Sequence, residues 1–117
     1  MKPSECALAL DTLAKGINQW ANRKGFWSFP DPIPLESSLI KSTKLMLVVT
    51  ELAEAVEGFR KPIPSTIPPY TNEEEEIADA IIRLLDYAGQ YKLRIGEAVI
   101  EKIALNEGRP FRHDKNF

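Results

Sequence analysis

Proline is concentrated in two short stretches of the 117-residue sequence, and the long segments around them contain none. These stretches are FPDPIP at 29–34 and KPIPSTIPP at 61–69. Because proline fixes φ and removes a backbone donor, it limits where a helix can run. Apolar residues in the remaining segments follow helical spacing, and no segment alternates with a period of two residues. The sequence therefore predicts an all-α chain.

The first proline-free segment is typical of an amphipathic helix. We predict that it begins near Ser4, an N-cap after Pro3, and ends at about Asn22. Its apolar residues at helical spacing are Leu10, Leu13, Ile17, Trp20 and Ala21.

The second helix is predicted from Ser37 or Ser38 to about Arg60. Its broad apolar stripe consists of Leu45, Val48, Val49, Leu52, Ala55, Val56 and Phe59. The run LMLVV at 45–49 is apolar nearly all round the helix, and a chain of 117 residues is too small to cover such a helix on every side. We therefore predict a homodimer or a homotetramer built from dimers.

The third helix is predicted to begin at Thr71 or Asn72, because Asn72 with Glu75 three residues later forms a capping-box pattern. Its apolar stripe consists of Ile77, Ile81, Leu84, Leu85, Ala88 and Tyr91.

A shorter fourth helix is predicted from Gly96 or Glu97 to about Asn106, with Gly108 suited to its C-terminal cap. A chain of 117 residues without an internal repeat is large enough for one core. We therefore predict a single domain, 1–117.

Composition and charge narrow the functional class. Apolar residues make up 44% of the chain and charged residues 27%, as in folded proteins, and the net charge is -2. A mildly acidic chain does not favour nucleic-acid binding, which depends on clustered Lys and Arg. Cys6 is the single cysteine, so no intrachain disulfide can form. No apolar run is long enough to span a bilayer, and charges interrupt the N-terminal segment, so we expect no signal peptide, no membrane contact and a cytoplasmic location.

Acidic pairs lie on the side of the second and third helices opposite the apolar stripes. Glu51 and Glu54 are three residues apart, and Glu76 and Asp79 repeat this spacing. If the two helices pack antiparallel, the pairs face one another, and converging carboxylates require a cation. Mg²⁺ prefers oxygen ligands and often binds a few carboxylates together with substrate phosphates.

A simpler interpretation stays open for the same residues. Acidic pairs are common on solvated helix faces, and Asp79 with Arg83 can form a surface ion pair. The preceding run Glu73–Glu75 needs no ligand, because negative charge is favourable in the first turn of a helix.

The order of several motifs resembles that of MazG-type enzymes, in the all-α nucleoside triphosphate pyrophosphohydrolase superfamily. ELAE at 51–54 is followed after 21 residues by EIAD at 76–79, similar to the family's EExxE and ExxD motifs. KIALNEGRPFRH at 102–113 resembles the family's C-terminal segment. INQWANRKGFW at 17–27 is similar to its aromatic and basic opening segment. The resemblance covers nearly the whole chain.

The resemblance implies an enzyme that cleaves a nucleoside triphosphate to the monophosphate and pyrophosphate with Mg²⁺, for which Mn²⁺ can substitute. It implies a four-to-five-helix domain in an intersubunit helical bundle. The metal ligands carried over are Glu51, Glu54, Glu76 and Asp79. Glu51 or Glu54 is the catalytic base, and the sequence does not distinguish them. Thr50 departs from the motif, which has Glu there, and this weakens the expectation of a second metal ion.

The resemblance also implies residues that bind the nucleoside triphosphate: Lys102, Asn106, Arg109, Trp20, Arg23 and Lys24. Lys102 and Asn106 share a helix face, and Arg109 adds positive charge that can act across a subunit boundary. The other three form a basic and aromatic neighbourhood suited to a nucleotide. Alternatively, Lys102 and Asn106 are exposed helix residues, Arg109 only offsets the acidic helices, and Trp20 and Trp27 are anchors in the core or in a dimer interface.

The leading functional prediction is thus a Mg²⁺-dependent nucleotide pyrophosphohydrolase with a role in nucleotide-pool housecleaning. A sibling activity on dUTP, dCTP or phosphoribosyl-ATP remains open. The alternative from another class is a non-enzymatic helical dimer whose acidic surface binds a basic protein.

Overall fold

The computed structural model describes residues 2–31 and 33–116 and confirms the all-α prediction. The helices are α1 (Pro3–Arg23), α2 (Ser38–Arg60), α3 (Asn72–Gln90) and α4 (Ile95–Glu107), and a short 3₁₀ segment covers Phe111–Asp114. Within the described ranges there is no strand. No helix in these ranges has the length and apolar character needed to cross a membrane.

The helix ends follow local chemistry, with one error in our prediction for α1. The helix begins at Pro3, with Lys2 as an N-cap that makes no side-chain bond, so Ser4 is not its cap. Proline fits the first helical position because the N–H it lacks would have no partner there. At α2 the Ser37 hydroxyl accepts from Leu39 N, and Gly108 is the C-cap of α4, as predicted.

The capping box of α3 lies one residue earlier than predicted. Thr71 Oγ1 accepts from Glu74 N at 3.1 Å, and Glu74 Oε1 accepts from Thr71 N at 2.9 Å. A hydroxyl and a carboxylate thereby satisfy two backbone donors that would otherwise lack partners. Asn72, which we predicted as the cap, is the first helical residue instead.

Small residues bring α1 close to α3 and α4. Ala7, Ala14 and Ala21, each seven residues apart, are the buried residues of α1. A Cβ added at Gly89 of α3 would lie 2.7 Å from the Ala14 carbonyl oxygen, and one at Gly96 of α4 would lie 2.2 Å from the Ala7 carbonyl oxygen. The backbones are therefore too close for any larger side chain at these crossings.

The prediction that the apolar face of α1 packs in the core is largely wrong. Of its members only Ala21 is buried, whereas Leu10 and Ile17 are half-buried and Leu13 and Trp20 are exposed. Large side chains do not fit where the backbones approach so closely, and Leu13, Ile17 and Trp20 line an open groove beside the contact.

Gly96→Ala is expected to lower the free energy of unfolding by about 2 kcal/mol or more, because the new methyl group meets rigid backbone. Urea denaturation followed by circular dichroism measures this. Gly16→Ala is the matched control, since nothing lies within 4 Å of its added Cβ. It should leave stability unchanged or raise it by up to ~1 kcal/mol. Equal effects of the two changes would contradict the close contact.

The helices α2 and α3 pack against each other and run antiparallel. The end of α2 at Gly58 meets the start of α3 at Asn72, and Glu51 in the middle of α2 reaches Arg83 further along α3. The antiparallel packing that the short connection suggested is therefore correct.

The sides of α2 and α3 that face each other carry the acids, and the apolar stripes face outward. Val49 is 49% exposed and Phe59 is 70% exposed. The other exposed stripe members are Leu45, Leu52 and Val56 on α2 and Ile77, Ile81 and Leu84 on α3. Only Val48, Leu85 and Ala88 of the two stripes are buried. These stripes are thus available to another surface.

The single chain is less compact than a self-sufficient domain. Its radius of gyration is 16.8 Å, whereas a compact domain of this length has about 13 Å. Its accessible surface is 8995 Å², against about 6,400 Å² for a typical monomer of this mass. Within the described ranges no large side chain is fully buried.

A small aromatic core fixes the segment between α1 and α2. Trp27 packs with Ala21 and Ile40, and Leu35 and Tyr91 cover this cluster. The Trp27 and Tyr91 rings meet edge to face with their centroids 5.7 Å apart. Because Trp27 is anchored in this way, its indole lies over α3 beside the acidic residues.

Candidate metal centre

Three carboxylates from two helices converge in the contact between α2 and α3. Glu51 comes from α2, and Glu76 and Asp79 come from α3, and each has a carboxylate oxygen within 4.8 Å of the others. Glu51 and Glu76 are each only 8% exposed, and Asp79 is half-buried. A solvated helix face, the simpler interpretation of these pairs, does not describe Glu51 and Glu76.

Glu54, the fourth predicted ligand, lies at the edge of this cluster. It is exposed, and its carboxylate is close enough to hydrogen bond with Glu76. It is not one of the three residues whose oxygens converge. The acid cluster therefore has a buried part formed by Glu51, Glu76 and Asp79 and an accessible neighbour in Glu54.

Glu76 is the most perturbed of these acids. Burial, followed by hydrogen bonds to Glu51 and Glu54 and repulsion by their charges, raises the pKa of Glu76 from 4.5 to about 7. Its buried Oε2 receives no hydrogen bond from an N–H or O–H group of the described residues, and the neighbouring carboxylates can bond to Glu76 only through a shared proton. Asn72 offers its amide to the other oxygen at a long 3.4 Å. Either a proton shared with these acids or a bound cation would satisfy this buried oxygen.

The surroundings of Asp79 also disfavour its ionised form. Burial, followed by the negative charges of Glu51 and Glu75, raises the pKa of Asp79, and Arg83 offsets this only in part. The metal-ligand atoms that the cluster offers are carboxylate oxygens, which hard divalent cations prefer. The residues present therefore fit a Mg²⁺ or Mn²⁺ ion.

Without metal, the protein is expected to become less stable as the pH rises from about 4.5 through about 7. Folded Glu76 keeps its proton up to a pKa of about 7, whereas an unfolded glutamate releases it near 4.5. The stabilising contribution is thus complete below the lower value and is lost as the pH passes the upper one. Melting temperatures in EDTA at about pH 5 and about pH 8 measure the effect.

Glu76→Gln is the matched variant for this pH dependence. Glutamine cannot ionise, so the variant should lose less stability over this range than the wild type does. Parallel curves for the two proteins would show that Glu76 is not the residue responsible.

Arg83 pairs across the helices, not along its own helix. Its Nε donates to Glu51 Oε1 at 2.8 Å. The pairing with Asp79 one turn away, which the spacing allowed, is replaced by this contact. Of the ion pairs among the described residues, this one alone joins two helices.

A cavity of about 190 Å³ opens beside the acids. Three acids line it together with basic, aromatic and aliphatic residues: Glu51, Asp79, Asp86, Arg83, Lys44, Trp20, Phe26, Trp27, Tyr87 and Ile82. Lys44 Nζ donates to the Phe26 carbonyl at 2.6 Å and lies 4.4 Å from the centroid of the Trp27 ring. Burial lowers the pKa of Lys44, and Asp86 opposes this effect. Aromatic faces and two cations next to the acids suit a phosphorylated aromatic ligand.

Sequence reasoning missed the contacts that build the wall of this cavity. The buried carboxylate of Asp86 accepts from Trp27 Nε1 at 3.0 Å and from Asn18 Nδ2 at 2.9 Å. These bonds connect α1, the aromatic segment and α3. The position of Asp86 on the acidic side of α3, one turn beyond Arg83, was the available signal, but its partners are distant in sequence.

The predicted nucleotide-binding residues are divided between two places. Trp20 lines the cavity beside the acids, whereas Arg23 and Lys24 are exposed at the end of α1 and do not line it. Asn106 and Arg109 line a separate cavity at the C-terminal tail that shares no lining residue with the first. Lys102 is exposed on α4, which packs against α1. One chain does not bring the tail and the acids into one cavity.

No family model matches this chain, and neither does a curated protein or a solved structure. The resemblance to MazG-type enzymes therefore stays a prediction that rests on the motifs.

Proposed function

We propose that this protein is a Mg²⁺-dependent nucleoside triphosphate pyrophosphohydrolase that releases pyrophosphate and the nucleoside monophosphate. The observation that supports it most is the convergence of Glu51, Glu76 and Asp79 within 4.8 Å beside a cavity whose lining combines aromatic rings with two basic residues and three acids. The buried Oε2 of Glu76, which receives no hydrogen bond from an N–H or O–H group of the described residues, also fits a bound cation. Phosphoanhydride cleavage requires both a cation for the phosphate oxygens and a place for the nucleotide.

In this proposal Glu51, Glu76 and Asp79 would hold the metal ion, and Glu54 at the edge of the cluster is the proton acceptor and not a main ligand. When bound, the ion neutralises charge on the phosphate oxygens and lowers the pKa of the attacking water. Glu54 is the better placed proton acceptor, because it is exposed whereas Glu51 is buried and bonded to Arg83. The mechanism thus divides the acids into buried ligands and one accessible base.

The cavity beside the acids is the proposed nucleoside site. The exposed rings of Trp20 and Phe26 offer aromatic faces for stacking on a base. Lys44 lies over the Trp27 ring and lines the same cavity as the acids, so its positive charge can attract phosphate. The tail residues Asn106 and Arg109 would complete the site of a neighbouring copy.

The same proposal includes a homodimer or homotetramer. The chain exposes roughly 2,600 Å² more than a typical monomer, and a standard interface removes only about 800 Å² from each partner. The outward stripes of α2 and α3 supply continuous apolar area for a second copy. A cytoplasmic location and a housecleaning role belong to this proposal as well, and the lone Cys6 is consistent with a reducing compartment.

The direct test is incubation with a panel of ribo- and deoxyribonucleoside triphosphates, with and without Mg²⁺, and detection of pyrophosphate. Release of pyrophosphate that depends on Mg²⁺ supports the proposal, and the preferred base separates general activity from a dUTP- or dCTP-type enzyme. Phosphoribosyl-ATP belongs in the panel for the same reason. Release of orthophosphate, or no hydrolysis of any member, would contradict it.

The non-enzymatic alternative is weaker on structural grounds. An acidic surface that binds a basic protein must present its carboxylates to solvent, and Glu51 and Glu76 are buried. The remaining acids of the α3 entrance, Glu73 and Glu74, are exposed, but their charge is explained by the helix N-terminus.

A further inference from the structure

In the metal-free chain, Arg83 neutralises part of the negative charge of the acid cluster. Its guanidinium donates through Nε to Glu51 Oε1 at 2.8 Å, and the Glu51 side chain in this pair is only 10% exposed. The same carboxylate belongs to the cluster with Glu76 and Asp79. Among the described residues, the terminal nitrogens of Arg83 make no hydrogen bond, and the side chain lines the adjacent cavity. Arg83 therefore has one strong contact and open space beside it.

A carboxylate oxygen that accepts a hydrogen bond from a guanidinium is a weaker ligand for a metal ion. Both are cations, and at short distance they repel each other in a partly buried site. The apo cluster also needs Arg83, because Glu51, Glu76 and Asp79 would otherwise face one another with no positive charge in contact. The ion pair thus stabilises the metal-free chain and weakens the binding of a metal ion.

We propose, on the basis of the function above, that Arg83 is a built-in counter-cation that a divalent metal ion must displace from Glu51. Metal binding then releases the guanidinium into the cavity beside the acids. Arg83 is accordingly a positioning residue that sets the affinity of the cluster for metal, and it is not itself a ligand. The opposite role, in which Arg83 merely holds Glu51 in place for the metal, predicts the reverse effect on affinity.

The test uses Mn²⁺ as the probe and the full chain with the substitution Arg83→Gln. Titration followed by electron paramagnetic resonance of free Mn²⁺ gives the affinity, and thermal melts give stability with and without the ion. We expect Arg83→Gln to melt at a lower temperature without metal and to bind Mn²⁺ at least about fivefold more tightly. Unchanged or weaker binding by the folded variant would overturn the proposal.

Two further variants serve as controls. Arg83→Lys keeps the charge and should bind Mn²⁺ within about twofold of the wild type. Arg60→Gln removes an exposed guanidinium from α2 whose half-buried partner Glu57 is outside the cluster. It should change neither the affinity nor the stability by much.

A second measurement needs no loss of the arginine and so remains decisive if Arg83→Gln fails to fold. In nitrogen-labelled wild-type protein, the Nε–H resonance of Arg83 is identified by its absence from Arg83→Lys. Saturation with diamagnetic Mg²⁺ should shift this signal toward that of a free guanidinium. A signal that does not move at saturation would overturn the displacement.

The proposal can fail separately from the function on which it rests. If Mn²⁺ binds the wild type and Arg83→Gln does not bind it more tightly, only the role of Arg83 is wrong. If neither protein binds Mn²⁺ or Mg²⁺, the metal-dependent function is wrong as well.

Discussion

Asp79→Asn is expected to lower Mg²⁺-dependent pyrophosphate release by at least about 100-fold. The change removes one of the three carboxylates that converge within 4.8 Å and replaces it with a neutral group of the same size. Because Asp79 is only half-buried and its backbone lies in the middle of α3, the helix and the fold should persist. Steady-state assays with the best nucleotide of the panel measure the activity, and Mn²⁺ titration should show weaker binding.

Two variants make this prediction specific. Glu74→Gln changes a glutamate of the same helix whose carboxylate serves the capping box, and glutamine can still accept from Thr71 N. Its activity should stay within about twofold of the wild type. Glu54→Gln should abolish turnover but retain most Mn²⁺ binding, since the converging acids remain. Near-wild-type turnover by Asp79→Asn would show that these acids do not carry the chemistry.

The helices could be predicted from the sequence because their determinants are local. The proline-rich stretches, the Ser37 cap and the position of Gly108 lie within a few residues of the ends they define. The errors were also local, since both Thr71 and Asn72 are suitable caps and only backbone geometry decides between them. Helix boundaries are accordingly correct to within one or two residues.

The face that each helix buries could not be predicted in the same way. Helical spacing locates an apolar stripe, but it does not say whether that stripe covers the chain's own core or another surface. Here the close helix contacts use Ala14 and Gly89, whereas larger residues such as Leu13 face outward. Small residues carry little signal in a hydrophobicity pattern, so the contact they form was missed.

The candidate site was predictable in part. The i, i+3 spacing placed Glu76 and Asp79 on one side of α3, and the antiparallel connection brought Glu51 to them. The contacts Trp27–Asp86 and Arg83–Glu51 span 59 and 32 residues, and no local pattern specifies such pairs. The sequence thus contained the acids, but not the groups that surround and partly neutralise them.

Val49→Lys is expected to convert an oligomer into a monomer of 13.2 kDa. Val49 lies at the middle of the outward stripe of α2 and is 49% exposed in the single chain, so lysine is tolerated in the chain alone. In an interface, the same lysine would bury an unpaired charge and weaken association by at least about 100-fold. Size-exclusion chromatography with light scattering measures the mass.

Thr43→Lys is the matched control for this change. It adds the same charge to the same helix, but Thr43 is exposed about 120° away from Val49 around the helix axis. Its mass should equal that of the wild type. A wild-type protein of 13.2 kDa at working concentration would refute the interface. Loss of turnover together with loss of assembly in Val49→Lys would indicate that a second copy contributes to the nucleotide site, as we propose for Arg109.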